Sequence, residues 1–330
     1  MKISFSTVNG NLTLRNGYGL AGYNMIKSLN ELGHSVPFRD PTAPVEIAFC
    51  QPGQTEWANP DAYHIQYTPW ESTEVPNSWM SGFNKSDEVW TPSPLIARWF
   101  ADAGVTSPIK VYEHGLDPVW SPGPSIRNND KFVFLHHGSP APRKGAQMAV
   151  DAFLELFGGD DRYALAIKAH GDTEARVKDR EGNIIEDIYN HPQIVVLSNL
   201  MPEETLVNLY RSSDALVYPG YGEGFGLIPL QALGVGIPTI CTGAWAPYEK
   251  HLIPELTLDS RMIDSPWPHM HPGKMFLPSY EGLKKSMIYA VENKEELRAE
   301  AERRSAEVHK DYNWNTLTAN AFKHIVDKFQ

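Results

Sequence analysis

Residues 220–231 read GYGEGFGLIPLQ and run straight into an apolar stretch, and this segment constrains the fold more than any other. Gly222, Gly224 and Gly226 let the backbone turn sharply and let a ligand approach it closely. Residues 227–233 read as a helix with Pro229 in its first turn, where a missing N–H costs little. Free amides and the positive helix end then converge on one spot that suits a phosphate. Glu223 beside it suits sugar hydroxyls, which donate readily to an ionised carboxylate. Together these point to a nucleotide-sugar. The competing reading is a tight strand-to-helix connection in any doubly wound sheet, but three alternating glycines around a glutamate exceed what packing needs.

A chain of 330 residues predicts two domains of ordinary size, each with its own core. The formal net charge of −11 argues against a partner held mainly through phosphate charge, as nucleic acid is. Cys50 and Cys241 are the only cysteines, which fits a reducing compartment and predicts no structural disulfide. The first residues enter a strand-like run with no long apolar stretch, and nowhere do 18 uncharged apolar residues occur together, so neither a signal peptide nor a spanning helix is expected. A cytoplasmic protein follows. Basic residues at 294–304 alternate with glutamates on what reads as a solvated helix, a weak membrane signal.

Short β-branched or aromatic runs alternate with amphipathic stretches, the pattern of parallel sheets covered by helices. In the first half strands are expected at 2–8, 45–50, 64–68, 88–91 and 109–113, with a clear helix at 19–32 that Gly33 stops. Residues 118–130 are rich in Pro, Gly and polar side chains and predict a linker. In the second half strands are expected at 131–136, 163–169, 194–197, 215–218 and 238–241, and helices at 144–157, 203–212 and 227–233. Helical patterns resume at 279, with a last helix from about Trp314. The span 259–278 reads as an irregular loop over a site.

The second half resembles the retaining GT-B glycosyltransferases of glycosyltransferase family 4. The likeness is most specific at 220–234, where the family signature is E-G-F-G followed by a second acid, with seven residues between the two glutamates. Glu223 matches the first, and Gln231 stands at the second. Residues 136–153, HHGSPAPRKGAQMAVDAF, are similar to the family's strand, basic loop and helix, with Lys144 and Gly145 on its K-G pair and Ser139 in place of its arginine. In the first half, 16–36 is similar to the family's Gly-rich turn and first helix, and 87–104 and 111–118 to the segments before the linker.

The resemblance implies a GT-B fold, two doubly wound Rossmann-like domains facing across a cleft. The expected division is 1–122 as the acceptor-side domain, 123–130 as linker, 131–312 as the nucleotide-sugar domain and 313–330 as a helix crossing back. It implies sugar transfer with retention of configuration from a nucleotide-diphosphate sugar, the co-substrate, to an unidentified hydroxyl on a glycan, small molecule or modified nucleic acid. Lys144, helped by Arg143, would offset charge on the departing diphosphate, and amides around Gly226, Leu227 and Ile228 would add oriented dipoles, so that no metal or other cofactor is required. Glu223 would hold sugar hydroxyls within the Gly224–Phe225–Gly226 turn. Gln231 would meet the ribose through a neutral hydrogen bond, about half as strong as a charged one.

Other candidates rest on weaker signals. Gly17 and Gly19 either approach the diphosphate or form a helix start. His64, loosely matching a family histidine that contacts the sugar, is equally a half-buried strand histidine, and Glu71 is either on the acceptor side or in an ordinary surface loop. His136, His137, His269 and His271 lack metal-ligand spacing, since neighbours on a strand point to opposite faces. Trp245 is a candidate for stacking on sugar or base. The rival functions are transfer onto a modified nucleic-acid base, disfavoured by the acidity, and a non-catalytic nucleotide-sugar binder, suggested by Gln231 and Ser139. An NAD-dependent oxidoreductase shares the doubly wound fold, and residues 17–22, GYGLAG, meet its G-x-G-x-x-G spacing, but a lone Gly-rich turn is a weak signal.

Overall fold

The computed structural model describes residues 1–7, 12, 16–139, 141–169 and 176–329, and its chain divides into two compact units. Unit 1 comprises Met1–Gly115, Trp267–Lys274 and Tyr312–Gln330; unit 2 comprises Leu116–Pro266 and Met275–Asp311.

Unit 1 is built on strands β1 (Ile3–Ser6), β2 (Val45–Phe49), β3 (Tyr63–Tyr67), β4 (Glu88–Thr91) and β5 (Ile109–Val111), with helices α1 (Gly17–Glu31), α2 (Met80–Asn84) and α3 (Pro94–Asp102). The five strands pair in parallel in the order β1-β2-β3-β4-β5. The segment after α1 lies along the open edge of β1, through Ile3 N to Ser35 O and Phe5 N to Pro37 O, both 2.9 Å. The chain therefore goes first to one side of β1 and then to the other, which makes the sheet doubly wound. Strands β1, β2 and β4 are buried along their whole length, the mark of a parallel sheet covered on both faces. Val8, the expected end of the first strand, lies outside the described residues.

Unit 2 contains β6 (Phe132–Gly138), α4 (Ala146–Phe157), β7 (Tyr163–Ala169), β8 (Ile194–Leu197), α5 (Glu203–Arg211), β9 (Ala215–Tyr218), α6 (Leu227–Val235), β10 (Thr239–Thr242), β11 (Thr257–Leu258), β12 (Ser260–Asp264), β13 (Lys274–Pro278), α7 (Tyr280–Glu292) and α8 (Lys294–Asp311). Its six-stranded parallel sheet runs β11-β10-β9-β6-β7-β8. Winding reverses between β6 and β9, where Phe134 faces Ala215 and Leu135 faces Leu216. The core lies between this sheet and α4 and α7, around Phe134, Phe153, Leu165, Ile167, Val217, Ile240, Leu283 and Met287. Helix α6 is apolar all round because α8 covers the side that the sheet does not.

Two expectations change. The span 259–278 is not one irregular loop: β12 and β13 pair as a two-stranded sheet. It escapes pattern reading because β12 is largely exposed and shows no apolar alternation. The change of unit falls after Gly115, ahead of the expected linker, because Trp120 is already built into unit 2: its Nε1 donates to Glu203 Oε1 at 3.0 Å and its ring meets Tyr210 edge-on. No helix among the described residues is long and apolar enough to cross a membrane.

The last helix, α9 (Trp314–Phe329), belongs to unit 1. Phe322 is 1% exposed and meets Trp90 at 4.8 Å and Tyr112 at 6.0 Å between ring centroids. Tyr112 and Thr318 share a hydrogen bond of 2.6 Å between buried hydroxyls, and the His324 ring lies 2.8 Å from Glu88. With so much of its apolar face committed, α9 is part of the core of unit 1. Phe322→Ala is therefore expected to cost about 3–5 kcal/mol, measured as a lower urea midpoint for the whole chain; a change below about 1 kcal/mol would show that α9 is not a core element.

Candidate active site

In an open parallel α/β sheet, ligands bind outside the carboxyl ends of the strands at the point where the winding reverses. In unit 2 that point lies beyond β6 and β9, and the loops leaving these strands carry the residues the sequence singled out. Ser139 follows β6 directly. A single 3₁₀ turn at Pro142–Lys144 comes next, and Gly145 then breaks the chain before α4 begins. The loop after β9 runs through Glu223 to Gly226, where α6 starts.

The two loops are sewn together. Tyr221 N donates to Arg143 O at 2.8 Å, and Arg143 Nη1 donates to Gly222 O at 2.7 Å. Gly145 adopts φ +79°, and a Cβ there would sit 2.2 Å from Pro219 O, so the position needs glycine twice over. The expected helix start at Lys144 is thus corrected: the left-handed Gly145 puts Arg143 and Lys144 on a turn of their own. From it Arg143 Nη1 reaches Glu223 Oε1 at 2.8 Å and Lys144 Nζ reaches the same oxygen at 2.6 Å. The Tyr218 hydroxyl, at the end of β9, donates to Oε1 as well, at 2.7 Å. All three contacts fall on one carboxylate oxygen.

Glu223 is 8% exposed. Burial alone would push its carboxyl up, but the Arg143 and Lys144 charges, with hydrogen bonds from Lys144 and Tyr218, outweigh burial and hold it at about 2. Two cations and one anion leave the cluster with one net positive charge. Burial pushes the Tyr218 phenol far up, so it remains a donor. Burial also drives the His136 imidazole down to about 4, against its hydrogen bond with Val217 O, and nearby Lys144 assists.

Helix α6 begins without a side-chain cap. Pro229 has no N–H, and Leu230 N already donates to Gly226 O. In the first turn this leaves the amides of Leu227 and Ile228 for a partner outside the helix. Gly226 itself takes φ +84°, and a Cβ there would strike the Tyr248 hydroxyl at 2.5 Å and the Trp245 ring at 2.6 Å. Gly224 and Phe225 are buried in the turn, Phe225 against Tyr248 at 5.7 Å, and Gln231 lies one helical turn beyond Leu227, 6% exposed.

Unit 1 holds the remaining candidates, Gly17, Gly19, His64 and Glu71. Asn16 caps α1 with its side chain and takes the Gly19 amide at 2.8 Å, so that amide is not offered to a ligand; Gly17 is the exposed first residue of the helix. His64 is also corrected. It is the second residue of β3, at the amino end of the sheet, with its ring stacked on Trp57 at 4.0 Å and Nε2 2.8 Å from Asn59 O. Glu71 follows β3 at the carboxyl end and lies 3.8 Å from His271.

Trp245 is unsuited to stacking on a sugar or base: it is 2% exposed, and its Nε1 holds Gly220 O at 2.9 Å beside the Thr242 hydroxyl. His136 and His137 face opposite ways, to Val217 O and the Tyr210 hydroxyl. Among the described residues no group of three or more His, Cys, Asp or Glu side chains is placed to hold a metal ion. Sequence reading missed Tyr218. Its only signal is its place at the end of the strand that leads to Glu223.

This construction, a basic turn and an acid-bearing glycine loop meeting over a parallel sheet, sits in a doubly wound α/β unit of the kind that builds the GT-B fold. Residues 122–249 match the family model described as Glycosyl transferases group 1. Over 66 residues it is 33% identical to O-antigen chain mannosyltransferase B of Escherichia coli, covering 20% of this chain and 16% of that protein. Over 105 residues it is 30% identical to D-inositol 3-phosphate glycosyltransferase of Corynebacterium jeikeium, covering 30% of this chain and 24% of that one. The alignments thus span less than a quarter of these two relatives' own length. In fold the chain is similar to sucrose-phosphate synthase from Thermosynechococcus elongatus, at TM-score 0.75, 14% identity and 99% coverage of both chains. HepE of Anabaena, solved with UDP-glucose, gives TM-score 0.71, 12% identity, 99% coverage of this chain and 100% of that one.

The cluster sets a pH dependence. An unfolded glutamate titrates near about 4.3, whereas Glu223 in the fold titrates at about 2. Its folded-state value is depressed, so the stabilisation is complete above pH ~4.3 and is lost as pH falls towards ~2. Glu223→Gln removes the charge and leaves two buried cations facing each other, at a cost of about 3–5 kcal/mol near neutrality. In urea unfolding from about pH 7 down to about pH 3, the gap between wild type and variant is expected to hold steady and then narrow below about pH 4. A gap that stays constant to the lowest pH would refute the assignment.

Proposed function

We propose that the protein transfers a glycosyl unit from a nucleoside diphosphate sugar to a hydroxyl acceptor, with retention and without a metal ion. The observation that carries this reading is the convergence of Arg143 and Lys144 on Glu223 at the reversal point of the unit 2 sheet. A diphosphate leaving group gains negative charge as the bond to the sugar breaks, and fixed cations and amides already oriented towards it stabilise that charge without reorganising. Arg143 and Lys144 supply the cations, and Leu227 and Ile228 supply the amides at the positive end of α6.

Because the three contacts of Glu223 fall on Oε1, its other oxygen is the acceptor for hydroxyls of the donor sugar. Gln231 accepts from the nucleotide ribose through its amide oxygen. Phe225 shapes the turn, and Ser139 lines the β6 side. Glu71, at the carboxyl end of β3, is the residue we place on the acceptor side. Retention follows from a front-face reaction: the bond from the anomeric carbon to the leaving phosphate oxygen breaks, the acceptor oxygen bonds to the same face, and the departing phosphate takes the acceptor's proton. UDP-sugars are the first donors to test, since HepE and the pneumococcal O-GlcNAc transferase GtfA were both solved with uridine nucleotides.

The test is turnover of a panel of UDP-, GDP- and ADP-sugars, with hydrolysis to the free sugar as readout where no acceptor is known. Lys144→Ala is expected to lower kcat/KM by about 10²–10³, the loss of one transition-state donor. Unchanged turnover in that variant would remove Lys144 from the mechanism. Binding of UDP by calorimetry with no product from any donor would favour a non-catalytic binder, the reading that Gln231 and Ser139 suggest.

A further inference from the structure

Beside the basic turn lies a cavity, of about 590 Å³, that none of Arg143, Lys144 or Glu223 lines. Pro142 and Gly145, which flank the two cations, form part of its wall, while the cations themselves point away towards Glu223. The floor is the start of α4 and the start of α7, and the far side is the β12–β13 sheet. Every lining residue belongs to unit 2.

We propose that this cavity is a second binding site, distinct from the reversal-point site, and that it takes a short neutral saccharide. Its volume falls in the range of about 300–1,000 Å³ usual for small-molecule sites. Its charges balance in number, Asp151 and Asp259 against Arg180 and Arg261, which disfavours a polyanion and suits a ligand whose groups both donate and accept. Adjacent sugar hydroxyls do both, donating to the carboxylates and accepting from the guanidinium groups. The Ser260 hydroxyl is buried, lines the cavity and has no hydrogen-bond partner among the described residues. A buried polar group of this kind calls for a partner, which a ligand hydroxyl supplies. Met148, Leu277 and Pro278 give the apolar wall against which the C–H face of a sugar packs. Arg180 sits over the Tyr221 ring at 5.9 Å, which fixes its guanidinium beside the cavity.

Tyr221 links the two sites. Its ring lines the cavity, while its amide holds Arg143 O and its carbonyl accepts from Phe276 N at 2.9 Å. A saccharide seated there touches the segment that sets the distance between the basic turn and Glu223. The site stands on the cavity's own residues and does not depend on the transferase reading.

The experiment is calorimetry and saturation-transfer NMR on the full chain with maltotriose, mannotriose and cellotriose, with inorganic phosphate and UDP titrated in parallel. At least one saccharide is expected to bind in the millimolar range or tighter. Asp259→Asn and Arg261→Gln, both at exposed positions, are each expected to weaken it tenfold or more and leave UDP binding unchanged. Met148→Trp, which fills the cavity, is an independent variant with the same expectation. The proposal is overturned if no saccharide binds, if binding survives all three variants, if only phosphate binds in an Arg261-dependent manner, or if saccharide binding is lost in Lys144→Ala instead. The UDP arm tests the donor site separately, so either assignment can fail alone.

Discussion

The organisation of unit 2 depends on one carboxylate oxygen, Glu223 Oε1, which takes an arginine, a lysine and a tyrosine hydroxyl together. A buried glutamate standing alone would hold its proton, and two buried cations would drive their loops apart. Each charge is tolerable only because the others are within 3 Å. The loop after β6 and the loop after β9 are therefore fixed relative to each other by electrostatics as well as by the Tyr221–Arg143 backbone bond. Neither loop has enough regular structure of its own to hold that geometry. The rigid elements on either side, two central strands of a parallel sheet, bring the loops to the same edge, and the ion cluster fixes them there.

What the sequence made legible follows from which forces act locally. Fully buried strands such as β9 and β10 read out as continuous apolar or β-branched runs, because a covered parallel sheet demands that composition. The glycine loop and Glu223 were legible because a sharp turn into a helix start has few solutions. Lys144 was placed on a helix because its neighbours have helical periodicity. Only the close approach of Gly145 to Pro219 O, a contact between residues 74 positions apart in sequence, delays the start of that helix to Ala146. Tyr218 was invisible for the same reason: its role exists only once the chain folds back so that Glu223 lies over the end of β9. His64 and Trp245 show the converse. Their residue types suggested ligand contact, but the fold had already used their polar atoms on Asn59 O and Gly220 O.

Gln231 and Ser139 replace charged residues of the family pattern, and the cluster shows what such replacements change. Removing an acid from α6 leaves the site more positive, and removing a cation after β6 leaves it less so; the two act in opposite directions on a bound diphosphate. Arg143 and Lys144 then carry the whole cationic side, with Glu223 as their counter-charge. The balance of one net positive charge is retained with fewer ionised groups, Glu223 buried and the two cations largely so. Fewer buried charges also means less desolvation to offset on folding.

The net charge of −11 and the anionic donor proposed above act on different length scales. At physiological ionic strength exposed charges are screened beyond about 8 Å, so the acidic surface contributes little at the reversal point. Lys144 and Arg143 are 11% and 14% exposed at the side chain, inside a partly water-excluded corner where the same charge acts more strongly. The surface charge thus bears on long polyanions, while in the proposed function the affinity for a diphosphate would rest on two side chains and two amides. An acidic protein with a basic turn at the carboxyl edge of its sheet can select a small anion over a long polyanion, because only the small anion reaches the cations without meeting the surface.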